Sequence, residues 1–202
     1  MQIRSFLAVN FSVSVTRRIA EEVERHKAAL AAAGHRVAWV PAANLHLTLQ
    51  FVGAIEEELV EGIAGRVGAV AARHRPFELK AAGLGRFPLV AASGAEPPRI
   101  LWVGVRDSAP LLALQKDVGA ALVGLGLSLP PESFHPHVTV GRVKEVGPSS
   151  LSWSSEAELG ASFVNEIVVY ESRSATSGQH GVEYHARARI PVGQERASGR
   201  LS

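Results

Sequence analysis

The sequence has no cysteine among its 202 residues. Disulfide bridges, thiolate metal sites and cysteine nucleophiles are therefore excluded. It also has no apolar run of the ~18 residues that suggest a membrane span. The N-terminus lacks the basic segment, long apolar stretch and cleavage site of a signal peptide. From these absences we expect a cytoplasmic protein that makes no contact with a membrane.

Neither positively nor negatively charged residues are in large excess. The formal net charge is +2, although the sequence pI is about 9.3. This balance is compatible with an anionic ligand but does not indicate a nucleic-acid coat. Hydrophobic residues make up 47% and charged residues 20%, which is typical of a globular protein. The length allows one large domain or two small lobes that share a core.

The order of predicted elements repeats along the chain. The strand "FLAVN" is followed by a helical pattern and then by the strand "LHLTLQF", and "LWVGV" is likewise followed by a helical pattern and then by "HPHVTVGR". Several other strands follow one another without a helix between them, which favours antiparallel pairing. We therefore predict an α+β fold with two pseudo-symmetric lobes. Each lobe is a mainly antiparallel sheet with helical cover, and the active-site cleft lies between them.

The boundaries follow from the same pattern. Residues 1–193 are predicted to form a single domain of two lobes, and the polar residues 194–202 a disordered tail. The segment "SFVNEIVVYES" is predicted as one strand and "EYHARARIPV" as the last one. The tryptophans are expected in the core or between the lobes.

One short motif, His-x-Thr, occurs once in each repeated unit, as His46 and Thr48 and again as His137 and Thr139. Side chains alternate along a strand, so the histidine and the threonine of each motif point the same way, ~7 Å apart. The apolar residues between them then face the core. Either motif alone would fit an ordinary packed or surface pair, whereas two copies at matched places favour a function.

Two imidazoles and two hydroxyls that line one cleft suit phosphoester hydrolysis without a metal. A neutral imidazole can take a proton from water, and a protonated one can give a proton to the leaving oxygen. Each positioned proton transfer contributes typically ~10²–10⁴ in rate. The hydroxyls can donate hydrogen bonds to phosphoryl oxygens. Because the two imidazoles need opposite protonation states, a bell-shaped pH profile is predicted.

A zinc site is the competing interpretation. His135 and His137 have the spacing of two zinc ligands on a strand, and His46 could supply a third. No acidic residue adjoins either motif to complete a typical hydrolytic metal site. We therefore predict that the protein uses no metal and no other cofactor.

In the stretches "RSFLAVNF", "AANLHLTLQFVG", "FHPHVTVGRV" and "VNEIVVYESR" the sequence resembles the 2H phosphoesterase superfamily. Within it, the resemblance is to the bacterial and archaeal RNA 2′,3′-cyclic phosphodiesterases, also called 2′-5′ RNA ligases. It covers most of the chain, from about Arg4 to about Pro191. It implies a fold of two lobes with one histidine motif in each. It also implies hydrolysis of a terminal 2′,3′-cyclic phosphate on RNA to a 2′-phosphomonoester, and it leaves open the reverse 2′-5′ ligation.

The resemblance also implies a role for each site residue. His46 is the proton donor to the departing 3′-oxygen, and His137 is the acceptor that activates water. Thr48 and Thr139 hold the phosphate. Arg142 adds a cation to the phosphate site. An ordinary surface arginine is the alternative for Arg142, because strand alternation places it away from the His137 face.

The partner implied is an RNA 3′ end that carries a 2′,3′-cyclic phosphate, bound by a monomer. Tyr184 and Phe51 are candidates for stacking on a base, with core or edge-strand positions as the alternative. Arg187 and Arg189 are candidates for contacts with the RNA backbone, with an exposed edge as the alternative. A non-catalytic RNA-end binding protein and a zinc-dependent phosphoesterase stay open as functions.

Overall fold

The computed structural model describes residues 1–88, 99–106, 108–130, 134–174 and 181–193. Its strands are β1 (Gln2–Val9), β2 (Arg36–Trp39), β3 (Leu47–Glu56), β4 (Phe77–Phe87), β5 (Ile100–Val105), β6 (His137–Glu145), β7 (Ser155–Val164), β8 (Glu166–Ser174) and β9 (Val182–Pro191). Its helices are α1 (Val13–Ala32), α2 (Leu59–Ala71) and α3 (Ala109–Val123), with a 3₁₀ helix at Ala42–Asn44. The predicted tail, residues 194–202, lies outside the described residues.

The described strands form one nine-stranded sheet whose pairings are antiparallel. Their order is β7-β4-β5-β6-β3-β1-β8-β9, and β2 also pairs with β6. Between β3 and β6 the pairing consists of Leu47 opposite Val138, so the sheet divides there into two lobes. The predicted α+β fold is confirmed, and the structure adds that the sheets of the two lobes are joined edge to edge.

Two of the helices cross from one lobe to the other. Helix α1 follows β1 of the first lobe but packs against β7 of the second, and α3 follows β5 of the second lobe but packs against β3 and α2. Ile19, Ile63 and Leu114, one from each helix, are fully buried in the core between the helices and the sheet. Each lobe is therefore covered in part by a helix from the other repeated unit, which ties the two lobes together.

The chain enters α1 through a side-chain cap and leaves it through a glycine. The Ser12 hydroxyl accepts a hydrogen bond from the Val15 N–H at 3.4 Å, which satisfies one of the free donors of the first turn. After the helix ends, Gly34 takes a φ of 81°, a conformation that a side chain would strain. Between these points Val23 and Leu30 are buried on the stripe that the helical spacing predicts.

The predicted strand "SFVNEIVVYES" is two strands. Strand β7 ends at Val164 beside β4 in the second lobe, and β8 begins at Glu166 beside β1 in the first. The chain therefore passes between the lobes at Asn165, and a single strand cannot pair in both. Among the described residues, none of the helices is long and apolar enough to cross a membrane.

Candidate active site

The two histidine motifs meet where the lobes join. Leu47 and Val138, the central residues of the motifs, are fully buried and lie opposite each other in β3 and β6. Because the strands are antiparallel, the residue before Leu47 lies towards the residue after Val138. His46 is therefore placed towards Thr139, and the threonine of the first motif towards His137. The structure brings all four predicted side chains to the uncovered face of the sheet.

Both imidazoles are held in the same tautomer by backbone carbonyls. The Nδ1–H of His46 donates to the carbonyl oxygen of Asn44 at 2.8 Å, and the Nδ1–H of His137 donates to that of His135 at 2.7 Å. A carbonyl oxygen can only accept, so Nδ1 carries the proton and Nε2 is the nitrogen that can exchange one. The Nε2 of His46 lies 3.1 Å from the Thr48 hydroxyl, which donates to it when the imidazole is neutral.

Burial and positive charge act on both imidazoles in the same direction. Burial lowers the pKa of His46 and that of His137 below the ordinary value for histidine. The carbonyl bonds to Asn44 and His135 raise each pKa in part, and the nearby charge of Arg142 lowers both. The charge on His137 also lowers the pKa of His46, so the two rings lie within electrostatic range of each other.

Aromatic side chains from β1, β8 and β9 surround the first imidazole. Phe6 stacks on His46 with ring centres 4.8 Å apart and an interplanar angle of 30°. Tyr184 meets the imidazole edge-on at 5.1 Å, and Tyr170 packs against Phe6 at 5.3 Å. Phe6 is buried and supports the His46 imidazole on the side of the sheet. A cavity of about 200 Å³ adjoins His46 and is also lined by Asn44 and the two tyrosines.

The second imidazole rests against a different aromatic pair. Phe87 meets His137 edge-on at 5.0 Å and packs against Trp102 at 5.5 Å. Trp102 pairs with Thr139 across β5 and β6, so it lies on the site face of the sheet and not in the core. Its ring covers Gly85, where an added Cβ would lie 2.2 Å from the indole. Glycine is therefore required there for the tryptophan to lie flat beside the threonine.

Arg142 reaches the site because β6 contains a bulge. Trp102 pairs with Thr139 and Leu101 with Gly141, so Val140 is an extra residue in the strand. The extra residue reverses the alternation, and Arg142 returns to the face of Thr139. The prediction from simple alternation, which placed Arg142 on the opposite face, was wrong. The charge of Arg142 lowers the pKa of both imidazoles. Burial raises the pKa of the Tyr184 hydroxyl, and the charge of Arg142 opposes that rise.

Two bulges in β3 change the predicted faces in the first lobe. The register shifts at Leu49, so Gln50 pairs with Leu7 and Phe51 pairs with Phe6, and it shifts again at Val52 before Gly53 pairs with Ser5. Gln50 therefore leaves the histidine face and accepts a hydrogen bond from Gln115 of α3 at 3.3 Å. Phe51 takes the site face and is 53% exposed, whereas strict alternation from His46 would place it on the core face.

The candidate RNA-contacting arginines differ from each other. Arg187 forms ion pairs with Glu171, which is buried, and with Glu57. These pairs place Arg187 away from the histidine face, so the predicted backbone contact does not fit its position. Arg189 pairs with Glu166 at 2.5 Å and lines the cavity beside His46.

Several side chains at the site were not singled out from the sequence, namely Phe6, Phe87, Trp102 and Tyr170. One signal was present, because the strand that precedes the helix in each repeated unit carries an aromatic residue. Metal binding was also considered. In the part of the chain that the structure describes, no group of three or more histidine, aspartate or glutamate side chains is arranged to hold a metal ion. His46, His135 and His137 are thus not brought together as the zinc interpretation requires.

Solved structures share the fold of this protein. A crystal structure of TT0787 from Thermus thermophilus superposes with a TM-score of 0.79 at 21% identity and covers 96% of this chain and 100% of that chain. The crystal structure of E. coli LigT complexed with 3′-AMP superposes with a TM-score of 0.75 at 22% identity and the same coverage. At this identity the likeness concerns the fold, which this chain shares with LigT.

Sequence comparison gives the family. The family model for the 2′-5′ RNA ligase superfamily matches residues 15–162. An RNA 2′,3′-cyclic phosphodiesterase of Methanothermobacter thermautotrophicus is 30% identical over 185 residues, which cover 88% of this chain and 94% of the relative. One of Geobacillus stearothermophilus is 34% identical over 158 residues, or 76% of this chain and 47% of that relative, so the chain spans about half of the latter's length. The chain belongs to the 2′-5′ RNA ligase superfamily, which confirms the resemblance.

Proposed function

We propose that the chain is a metal-independent RNA 2′,3′-cyclic phosphodiesterase that converts a terminal cyclic phosphate to a 2′-phosphomonoester. The observation that carries the proposal is the pair of imidazoles on one face of the sheet, each with Nδ1–H bound to a carbonyl. That arrangement leaves two Nε2 atoms for two proton transfers at one phosphate. Relatives that carry the name of this activity support the choice of substrate.

The reaction assigned to the two imidazoles balances in one step. Neutral His137 takes a proton from water at Nε2 while the water oxygen bonds to phosphorus. The bond from phosphorus to the 3′-oxygen breaks, and protonated His46 gives its Nε2 proton to that oxygen. The product keeps its phosphate on the 2′-oxygen, and proton exchange with solvent restores both imidazoles. If an RNA 5′-hydroxyl replaces water, the same two transfers form a 2′-5′ bond, so ligation needs no further group.

The roles proposed for the other side chains follow from charge and hydrogen bonding. Thr48 and Thr139 donate their hydroxyl hydrogens to non-bridging oxygens, where negative charge grows as the nucleophile adds. Arg142 supplies the positive charge at the same phosphate. A bound phosphate also raises the pKa of the nearby imidazoles. Substrate therefore opposes the effect of burial and favours the protonated donor when it is needed.

The test is the position of the product phosphate. Purified protein is incubated, with EDTA present, with a short RNA that ends in a 2′,3′-cyclic phosphate. We expect a 2′-phosphate from the wild type and loss of most of the rate in His46→Asn and in His137→Asn. His26→Asn, in helix α1 and paired with Glu22, is the matched control and keeps the rate.

Each alternative function predicts a different result. If EDTA abolishes the activity, the zinc-dependent phosphoesterase replaces this proposal. If the wild type binds the RNA but never opens the ring, the chain is a non-catalytic RNA-end binding protein. The cytoplasmic location, the monomeric state and the division into domain 1–193 and tail 194–202 stay predictions.

A further inference from the structure

A groove leads away from the active site around the end of β1. The cavity of about 200 Å³ beside His46 is followed by a larger one of about 500 Å³ beside α1. Four residues line both cavities, namely Asn10, Ala43, Leu45 and Tyr170. The two cavities therefore form one continuous groove, which begins at the proposed proton donor and ends at the first two turns of α1.

Contacts within the protein hold the groove open. Where the two cavities meet, the side chain of Asn10 donates a hydrogen bond to the Tyr170 hydroxyl at 2.9 Å. Beside His46, the side chain of Asn44 donates to the carbonyl oxygen of Val182 at 2.8 Å and ties this wall to β9. Small side chains line the rest of the groove, at Ala20, Ala42, Ala43 and Ala186. A ligand therefore meets a formed channel.

Positive charge lies at both ends of the groove. Arg189 lines the end beside His46, where its bond to Glu166 at 2.5 Å holds the guanidinium in place. A guanidinium has five N–H donors, so this ion pair leaves donors for an anion. Arg17 lines the far end, where it is exposed and lies 3.7 Å from Glu21. The first turn of α1 has no acidic residue, so the positive end of the helix dipole adds to this charge.

The proposed reaction fixes where the rest of the RNA begins. His46 gives its proton to the 3′-oxygen, so the terminal ribose lies on the His46 side of the phosphate. The 5′-carbon of that ribose carries the remaining strand, and each phosphate of the strand is negative. A groove that starts at His46 and carries an arginine at each end offers both the space and the charge for this strand.

We infer that the RNA strand upstream of the cyclic phosphate follows this groove, with the 5′-phosphate of the terminal nucleotide at Arg189 and an earlier phosphate at Arg17. The inference rests on the proposed function and narrows its substrate class. The protein then acts on oligonucleotide ends in preference to nucleoside 2′,3′-cyclic phosphates that lack a 5′-phosphate. Because these contacts are to the backbone, the sequence of the strand matters little.

The experiment compares three substrates that differ only in the strand upstream of the ring. They are a nucleoside 2′,3′-cyclic phosphate, the same compound with a 5′-phosphate, and a tetranucleotide that ends in the same nucleotide. In the wild type the 5′-phosphate raises kcat/KM, and the tetranucleotide raises it further. Between about 50 mM and about 200 mM salt, each phosphate contact to a single strand makes kcat/KM fall by about a further 2.5-fold.

Charge variants test the two ends of the groove separately. Arg189→Gln lowers the increase that the 5′-phosphate brings and removes about 2.5-fold of its salt dependence. Arg17→Gln lowers the further increase of the tetranucleotide more than that of the 5′-phosphate. The matched control is Arg75→Gln, an exposed arginine after α2, which changes neither increase. Ratios between substrates cancel a general loss of activity, and thermal unfolding shows that each variant is folded.

A bulkier side chain tests the groove apart from its charge. Ala20→Leu fills the part of the groove beside α1 and lowers the increase that the tetranucleotide brings. Ala28→Leu adds the same side chain at an exposed position of the same helix and leaves that increase as it is. Equal effects of the two variants contradict the groove as the path of the strand.

The outcomes distinguish this inference from the proposed function. A wild type that opens all three rings with equal kcat/KM overturns the inference while the phosphodiesterase stands. Increases that Arg189→Gln and Arg17→Gln leave unchanged, or that Arg75→Gln lowers as much, also overturn it. A wild type that opens none of the rings refutes the proposed function, and the inference with it.

Discussion

The assignment of proton donor and acceptor can be tested with isosteric substitutions. In each motif the Nδ1–H is bound to a carbonyl, at 2.8 Å for His46 and 2.7 Å for His137. An asparagine side chain places its own N–H near that position. His46→Asn and His137→Asn therefore keep the local hydrogen bond and remove only the Nε2 that transfers the proton.

The size of the loss follows from that single missing transfer. Each variant is expected to lose ~10²–10⁴ in kcat, which corresponds to about 2.7–5.4 kcal/mol in activation free energy. The double variant loses little more than either single one, because both transfers serve the same transition state and their effects are not additive. Circular dichroism and thermal unfolding confirm that the variants are folded.

A substrate with a different leaving atom separates the two roles. When sulfur replaces the 3′-oxygen, the leaving group is a thiolate, which needs no proton because thiols have a pKa near ~8.5. On that substrate His46→Asn recovers to within about tenfold of the wild type, and His137→Asn does not recover. Recovery of His137→Asn alone shows that the roles are exchanged. Recovery of neither variant refutes proton transfer to the leaving group as the function of either Nε2.

Three further predictions concern pH, packing and the glycine under Trp102. Burial lowers the pKa of both imidazoles, so kcat/KM is expected to peak on the acid side of the ordinary imidazole pKa of ~6.5, and a peak above neutrality contradicts this. Phe6→Ala removes the buried ring that supports His46 and costs about 3–5 kcal/mol of unfolding free energy in urea titration; a loss below about 1 kcal/mol contradicts its role as a buried packing residue beneath the site. Gly85→Ala forces a Cβ against the indole and costs about 1–3 kcal/mol with a fall in kcat. Its control, Gly65→Ala in α2, meets no atom within 4 Å and stabilises by about 0.5–1 kcal/mol; equal effects of the two contradict the steric explanation.

Much of the fold could be predicted from the sequence because its signals are local and repeated. Helical spacing in α1 shows the buried stripe of Ile19 and Val23, and the repeated order of strand, helix and strand indicates two lobes. The partner of each helix could not be predicted. Periodicity shows which face of α3 is buried but not against what, and the structure packs it on the lobe that the other unit builds.

At the site, the alternation of side chains along a strand predicts orientation only as far as the threonine of each motif. Between His46 and Thr48, and between His137 and Thr139, the strands are regular, and a period of two places all four side chains correctly. Beyond each threonine a bulge begins, at Leu49 in β3 and at Val140 in β6. A bulge is one extra residue in a strand, and its position depends on how that strand pairs with a partner strand distant in sequence. The type of the extra residue therefore does not reveal the bulge.

The same bulges decide which side chains join the motifs. After Leu49 the strand turns Phe51 outward, and after Val140 it turns Arg142 back to the site face. In both lobes the short regular segment thus positions the groups proposed to react, and the bulge decides the face of the residue that follows. A variant that straightened either strand would keep its histidine motif in register and reverse the face of the residue beyond it. The two motifs therefore carry the chemistry in this proposal, and the bulge in β6 brings Arg142 to the face of the proposed phosphate site.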